Sequence, residues 1–403
     1  MAYVPPHKRY SKDSPTPDPS PLPPSVLPQS KRTLTLSDPK PNSRRRRDHQ
    51  SSSNQGLKII YAADSIARWF VAGSAGDDPI PSSVAIWEPF EWRNGGKATV
   101  IEAGEGGVVE ERPWANISER VMPDLIGCCR AAVEGSVSKR EVVKLTFVAR
   151  TGKVLFLGTS VNLESIRKAA VSEIDSRTQV RKSFYTNVPS DYMEDMQNML
   201  SGDSGFDFDS EKEYYNVKIF DKFQPESTIS CKCAVVNDGA LEIRKIELNQ
   251  VRHLVVDISC LFKDLDLRLM LATKRILKSL DDEENEAINK LVKSAIIDPD
   301  VKGGLRWPLG EESVADRFCI IGVWHTKFKA FKNQSTRIKL RHADRFDHRT
   351  STGEASNEVM LKLIGISKHL RDGNVELDCI NDMVQESVKL IWDRFLSYSH
   401  SST

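Results

Sequence analysis

The densest group of residues with catalytic chemistry is formed by Asp344, Asp347 and His348. Carboxylates and imidazoles this close together can ligate a divalent ion or transfer protons. Their spacing matches no metal signature, however, and carboxylates that alternate with arginines also form ordinary ion pairs. We therefore assign no catalytic residue, metal ligand or cofactor, and keep a metal-dependent phosphodiesterase that uses these three residues as an alternative function.

A second group of chemically useful residues is cationic and lies on two consecutive predicted strands, which begin near Phe318 and end near His342. With a two-residue period, and with a turn at 332–335, the two strands form a hairpin. The cations that we expect on one solvent face of this hairpin are Lys327, Lys329, Arg337, Lys339 and Arg341. Such a positive ribbon suits the phosphate backbone of RNA or DNA. The alternative is a lysine-rich face that only keeps a sheet edge soluble.

Basic residues also cluster near the N-terminus in two patches that have the layout of a bipartite nuclear import signal. The residues are Lys31, Arg32, Arg44, Arg45, Arg46 and Arg47. Two patches with this spacing can occupy two acidic grooves of an import carrier, and consecutive arginines also bind phosphate backbones without sequence preference. The alternative is a solvated run of charges. We predict residence in the nucleus and the cytoplasm.

The first nine residues form an extended peptide with an aromatic anchor, a proline pair and a basic end. Its anchoring residues are Tyr3, Pro5, Pro6, His7 and Arg9. Such a peptide is suited to a groove on a protein partner. The peptide resembles the Tyr-x-Pro-Pro-His-x-Arg motif in the N-termini of DEAD-box RNA helicases, where it serves for docking. The whole chain also resembles a plant family of uncharacterised proteins that open with this nonapeptide.

The residues that carry these motifs belong to two segments of different composition. Residues 1–56 hold 11 of the 20 prolines and a net charge of +6, which leaves 47 basic and 52 acidic residues for 57–403. A chain so poor in apolar residues cannot offset its ordering entropy, so we expect 1–56 to be a disordered tail. We expect two lobes to follow, at 57–200 and 214–400, separated by an acidic loop at 201–213. The two lobes can also form one continuous domain.

The patterns within both lobes predict an α+β fold with mixed or antiparallel sheets and helices packed on one face. Residues 141–158 predict a hairpin that turns at Thr151-Gly152, and 229–248 predict a second hairpin. Apolar residues with helical spacing predict helices near 162–174, 279–296 and 380–395, and also at 265–277 and 358–370. No apolar stretch approaches the ~18 residues that span a bilayer, so we expect no membrane contact.

These observations favour a non-enzymatic adaptor in RNA metabolism. It would bind RNA or a protein partner through the basic tail and the basic hairpin. The alternatives are the phosphodiesterase named above and a protein-interaction scaffold that binds no nucleic acid. The chain contains no phosphate-binding loop of the Gly-x-x-x-x-Gly-Lys-Ser/Thr type. It therefore resembles the helicases in its N-terminal peptide but contains no helicase domain.

Overall fold

The structure is a computed structural model that describes residues 59–398, except for the short segments 77–79, 82, 93–95, 135–140, 159–160, 172–179, 203, 226–227, 237–238, 278–279, 315 and 373–376. Residues 54–403 form one compact unit. The tail motifs between Tyr3 and Arg47 lie outside the described residues. None of the described helices is long and apolar enough to span a membrane.

Strands dominate the described residues. In chain order they are β1 (Ile60–Ala72), β2 (Val84–Trp92), β3 (Gly96–Ala103), β4 (Glu141–Leu157), β5 (Arg181–Tyr185), β6 (Asp207–Asp221), β7 (Thr228–Val235), β8 (Leu241–Leu248), β9 (Val251–Cys260), β10 (Asp266–Leu277), β11 (Ile296–Ile297), β12 (Leu305–Arg306), β13 (Ser313–Val314), β14 (Phe318–Lys332), β15 (Thr336–Asp347) and β16 (Thr352–Leu363).

The helices are α1 (Pro113–Glu134), α2 (Leu163–Val171), α3 (Ser190–Ser201), α4 (Asp282–Lys293), α5 (Ile364–Asp372) and α6 (Leu377–Arg394). Local sequence explains where two of them begin. Asn162 accepts a hydrogen bond from the Ser165 backbone at 2.8 Å at the start of α2. The Asp281 carboxylate and the Glu284 side chain form a capping box at the start of α4.

The large sheet closes on itself. Neighbouring strands pair in the order β10, β8, β7, β6, β14, β15, β16 and β4. The last strand, β4, also pairs with the first, β10, along the whole length of β10. These eight strands therefore form a barrel. Strands β1 and β9 extend the sheet on one side, while β2, β3 and β5 extend it beyond the end of β4.

Two apolar cores cover the outside of this barrel. Helices α1, α5 and α6 pack against the outward residues of β10, β15 and β16, such as Leu269, Leu340 and Leu361. Helix α4 packs against the outward residues of β6 and β7, such as Val217 and Cys231. Because side chains alternate along a strand, the residues between these outward positions point into the barrel. The coarse prediction of a mixed α and β fold is confirmed, and the strands form one large sheet.

Several predictions of local structure are wrong. Residues 141–157 form one long strand, β4, instead of a hairpin. Residues 265–277 form strand β10 instead of a helix, and 358–363 belong to β16, which precedes α5. The second half of the expected acidic loop, from Asp207 onward, is the beginning of β6.

The two expected lobes share one sheet, because β4 of the first pairs with β10 and β16 of the second. The hairpin formed by β7 and β8 and the hairpin formed by β14 and β15 have the predicted antiparallel pairing.

Candidate functional site

The register of the β14–β15 hairpin decides which of its cations share a face. Phe328 lies opposite Arg341 and Ala330 lies opposite Lys339, whereas Lys327 lies opposite His342. Residues directly opposite each other in an antiparallel pair point to the same side of the sheet. Arg341 and Lys339 therefore lie on one side and Lys327 on the other.

The prediction that all five hairpin cations lie on one solvent face is wrong. Arg337, Lys339 and Arg341 point into the barrel, while Lys327 and Lys329 point outward. The physical reason is the two-residue register of the pair, which places the odd-numbered positions of β15 on the same side as the even-numbered positions of β14. The two outward cations are engaged locally, since Lys327 pairs with Glu213 at 3.3 Å and Lys329 donates to Gln197 at 3.1 Å.

Half-buried cations of six strands line the barrel interior: Arg150 on β4, Lys218 on β6, Lys232 on β7, Lys274 on β10, Arg337, Lys339, Arg341 and Arg345 on β15, and Lys362 on β16. We call these nine residues the lumen cations. Lys245 on β8 lies opposite Lys232 and also faces inward, but it is paired with Glu247 and is not counted among them. In the pairing registers, each of the lumen cations lies at a position whose side chain points away from the outer apolar cores and therefore into the barrel.

The lumen cations converge across the barrel. Lys339 on β15 is close enough to Lys232 on β7 and Lys274 on β10 for their charges to lower its pKa. Neither β7 nor β10 is a neighbour of β15 in the sheet. These side chains therefore approach one another through the interior, which makes the lumen a region of concentrated positive charge.

Among the described residues, few carboxylates face the lumen cations, and one of them is Asp209, which pairs with Arg337. Glu358, which is 2% exposed, accepts hydrogen bonds from Arg341 and Arg345 and lies 3.7 Å from Arg150. Glu247 pairs with Lys245 on its own strand. Burial alone would raise the pKa of the Glu247 carboxyl, but the ammonium groups around it, above all that of Lys274, lower it.

The five lysines among the lumen cations have no carboxylate of a described residue in contact with their ammonium groups. Among the described residues, no carboxylate oxygen lies within 4.0 Å of the ammonium nitrogen of any of the five lumen lysines. Burial and the neighbouring cations lower the pKa of Lys339 to about 7. Burial is also the main reason why the pKa values of Lys218 and Lys232 fall to about 8. A lysine at neutral pH normally carries a full charge, so these three are strongly perturbed.

Aromatic rings stand beneath several of these cations. The ammonium of Lys232 lies 3.5 Å from the ring centre of Tyr214, and that of Lys339 lies 4.2 Å from the ring centre of Phe328. Trp324 has Lys218 at 4.6 Å and Arg345 at 5.1 Å. All these distances are within the range of a cation–π contact.

The candidate catalytic residues are engaged with other groups. Asp344 accepts a hydrogen bond from the Gly303 backbone at 2.9 Å, and Asp347 pairs with Arg349 at 3.1 Å. His348 packs edge-on against Phe346, and burial lowers the pKa of its imidazole. Within the described residues, no group of three or more His, Cys, Asp or Glu side chains could hold a metal ion.

A protein-family model matches residues 53–395 of the chain, and its description is "Domain of unknown function (DUF7903)". The chain belongs to this family. The match begins three residues before the predicted end of the tail and extends to the end of α6. The search of curated proteins found no match.

Some solved structures are distantly similar. The RNA triphosphatase Pct1 of S. pombe, solved in complex with the Spt5 CTD, has 11% identity and a TM-score of 0.43, over 70% of this chain and 94% of that chain. The RNA triphosphatase domain of a mimivirus mRNA capping enzyme has 10% identity and a TM-score of 0.28, over 68% and 99%. A putative adenylate cyclase from Bacillus halodurans has 10% identity and a TM-score of 0.24, over 54% and 91%. Likenesses this weak carry no argument about function.

Of the nine lumen cations, the sequence patterns identified Arg337, Lys339 and Arg341 and missed the other six. Lys218 stands between Val217 and Ile219, and Lys232 stands between Cys231 and Cys233. A lysine that alternates with buried residues on a strand points away from the apolar core, which is a usable signal. Whether it then points to solvent or into a barrel depends on closure of the sheet by distant strands.

Replacing Glu358 tests how tightly the arginine cluster depends on its carboxylate. Glu358→Gln leaves Arg150, Arg341 and Arg345 without their shared anion, so we expect a loss of about 3–5 kcal/mol in the free energy of unfolding. Urea denaturation measures this loss. The exposed Glu242, which pairs with Arg244 at 2.9 Å, is the matched control, and Glu242→Gln should change stability by less than about 0.5 kcal/mol. Equal effects would contradict the buried network.

The low pKa of Lys339 predicts a pH-dependent stability. Between its folded pKa of about 7 and its ordinary value of 10.5, the unfolded state binds a proton that the folded state does not. This lysine therefore destabilises the ligand-free fold most below pH 7 and progressively less as the pH rises toward 10. Lys339→Met should raise the unfolding temperature, more at pH 6 than at pH 9.5. A gain that is the same at both pH values would show that the lysine is not perturbed.

Proposed function

We propose that the protein is a non-enzymatic RNA-binding adaptor whose barrel lumen holds the phosphate groups of RNA. The observation that carries this proposal is the excess of half-buried lumen cations over carboxylates. In this proposal RNA binds in the barrel lumen and not on the outward face of the β14–β15 hairpin. Lys339, Arg341 and Arg337 keep their predicted role in this proposal, whereas Lys327 and Lys329 do not.

The half-buried lumen lysines need an anion that the described part of the chain does not supply. A charge taken out of water is costly unless it is paired and hydrogen-bonded. The three lysines with lowered pKa values show how incomplete the internal pairing is. A phosphate group offers several strong acceptor oxygens and negative charge, which is the chemistry that lysines and arginines in a concave site recognise.

The arrangement favours a chain of phosphates over a single phosphate or a duplex. From Arg345 to Lys339, the inward positions of β15 extend over about 20 Å at roughly 3.3 Å per residue. Cations from β4, β6, β7 and β10 surround this row. An eight-stranded barrel has room in its interior for side chains or one small ligand. A single strand or its phosphorylated end fits this dimension, and a duplex does not.

Binding without catalysis is supported by the way the lumen carboxylates are used. Glu358 is held by three arginines and Glu247 by Lys245. A carboxylate in this state is a poor general base, because the surrounding cations stabilise its charged form and lower its basicity. The lumen therefore presents charge to a ligand but offers no unengaged carboxylate for proton transfer among the described residues.

The tail would give the adaptor its partners. In this proposal the peptide from Tyr3 to Arg9 docks to a protein groove, and the two basic patches bind an import carrier. The body then presents bound RNA to whatever the tail recruits. Both roles rest on the residue patterns alone.

Lumen variants test the RNA proposal against the outward hairpin face. Lys339→Gln and Lys274→Gln should each weaken binding of a short single-stranded RNA by about tenfold or more, since a charged hydrogen bond contributes about 1.5–3 kcal/mol. Each should also reduce the salt dependence, by about 0.7 in the slope of log K against log salt. Fluorescence anisotropy with a labelled RNA measures both quantities.

Lys327→Gln is the matched control, because it removes the same charge from the same hairpin on the outer side. It should leave affinity within about twofold, in keeping with a solvent-exposed pair of little energetic weight. If Lys327→Gln weakened binding as much as Lys339→Gln, the outward face would be the site. If the wild-type chain bound no RNA at low salt, the scaffold function would replace this proposal.

The import proposal is tested separately. Alanine at Lys31, Arg32 and 44–47 should move a fluorescent fusion from the nucleus to the cytoplasm, because both acidic grooves of the carrier lose their ligands. Alanine in one patch alone should have a smaller effect. An unchanged distribution of the double variant would refute the import signal.

A further inference from the structure

Among the residues that the structure describes, the aromatic rings in contact with lumen cations lie on two neighbouring strands. Tyr214 is on β6, and Trp324 and Phe328 are on β14. Register places all three on the inward side, since Trp324 lies opposite Arg345 and Phe328 lies opposite Arg341. One wall of the barrel is therefore aromatic.

This aromatic wall supports amines from three strands. Lys218 lies over Trp324, Lys232 over Tyr214, and Lys339 over Phe328, at 3.5–4.6 Å from the ring centres. The amines come from β6, β7 and β15 respectively. Each ring takes the place beneath the amine that a carboxylate takes in an ordinary ion pair.

A ring and a carboxylate have different effects on an amine. A carboxylate neutralises the ammonium and accepts its hydrogen bonds, so a phosphate has to compete with it. A ring face attracts the ammonium but accepts no strong hydrogen bond and carries no net charge. An amine on a ring therefore keeps its donors for a ligand.

The surroundings of Lys339 make its charge costly in the absence of a ligand. Arg337 and Arg341 flank it on its own strand, and Lys232 and Lys274 face it from across the lumen. Burial and these four like charges lower the pKa of Lys339 to about 7. The amine is thus only partly protonated at neutral pH.

The other two amines have a more mixed environment. Burial is the largest cause of the pKa of about 8 at both Lys218 and Lys232, and Glu247 opposes it. The titratable groups whose charge acts on one or both of them are Glu247 and Lys245 of β8, Lys274 of β10, Lys212 of β6 and, from the outward side of β7, Cys231. Lys218 also donates a hydrogen bond to Ser230 at 2.7 Å.

We propose that Tyr214, Trp324 and Phe328 are positioning residues of the phosphate site, which hold the three amines toward the lumen so that a phosphate chain is bound together with protons. This inference rests on the proposed function, because it concerns the same lumen. Each neutral amine takes one proton from the solvent and becomes an ammonium that donates to a phosphate oxygen. The new bond at each amine is the N–H bond to the added proton, and no bond of the phosphate ligand breaks.

Calorimetry on the full chain with inorganic tripolyphosphate tests the proton uptake. Titrations at pH 7.5 in buffers with different ionisation enthalpies give the number of protons bound per ligand. We expect about one, since a group with a pKa near 7 is mostly neutral at this pH and is fully charged in the complex. Affinity should fall steadily from pH 6 to pH 9. Binding with no proton uptake would overturn the inference and leave the proposed function intact, while no binding would overturn both.

Ring variants test the positioning role. Phe328→Leu removes the ring beneath Lys339, and Phe331→Leu removes an equally buried ring on the outward side of the same strand. We expect Phe328→Leu to weaken tripolyphosphate binding about three- to tenfold at pH 7.5 and less than about twofold at pH 6, where the amine is charged without help from the ring. Phe331→Leu should leave the affinity and its pH profile unchanged. Equal effects of the two variants would contradict the positioning role.

Trp324 provides a rescue experiment. Trp324→Leu removes the ring face beneath Lys218, whereas Trp324→Phe retains a smaller one. The Leu variant should show weaker binding and a pH profile displaced to lower pH, and the Phe variant should restore most of both. A Phe variant that behaved like the Leu variant would show that the volume of Trp324 matters and its ring does not. The proton count of the wild-type chain decides the matter if either Leu variant fails to fold.

Discussion

Positive charge enclosed by a sheet is the constraint on which the rest of this structure depends. Pairing of β4 with both β10 and β16 closes the barrel, so every second residue of its strands faces a shared interior. Several of those residues are lysines and arginines. Their mutual repulsion and loss of hydration oppose folding, and the fold has to compensate for both.

The chain compensates for this charge in different ways along the lumen. Glu358 neutralises part of the arginine cluster. The aromatic wall attracts three amines without neutralising them. The remaining free-energy cost of burying like charges is reduced when a lysine amine loses its proton, as the low pKa of Lys339 indicates. A bound phosphate would pair with the amines on the aromatic wall and favour their charged form, so the proposed ligand would also stabilise the fold.

Sequence patterns predicted the local pairings better than the global closure. The β14–β15 and β7–β8 hairpins follow from alternation and turn residues over a short stretch of chain. The β4–β10 pairing joins residues more than a hundred positions apart, and no local pattern reports it. The prediction of a helix at 265–277 is wrong because leucine is common in helices, although the spacing of Leu265, Leu267, Leu269 and Leu271 is that of a strand. Helix α1 is not predicted from the sequence, and a proline inside it, Pro123, is a residue that normally argues against a helix.

The side of the sheet on which the hairpin cations lie could not be predicted from local sequence either. The alternation that identified Lys339 and Arg341 was correct, but the side on which they lie depends on the register and on closure. Once the sheet is closed, the face that seemed solvated becomes the lumen, and Lys327 and Lys329 fall on the other side. The pattern therefore located a cationic strand, and the fold decided what that strand can bind.

A crystal structure of the full chain with tripolyphosphate tests the central claim most directly. The account predicts phosphate oxygens inside the barrel, within hydrogen-bond distance of Lys339 and Lys274, with Lys218 and Lys232 still over their rings. Phosphate bound on the outer face at Lys327 and Lys329, with a lumen that contains no anion, would contradict it.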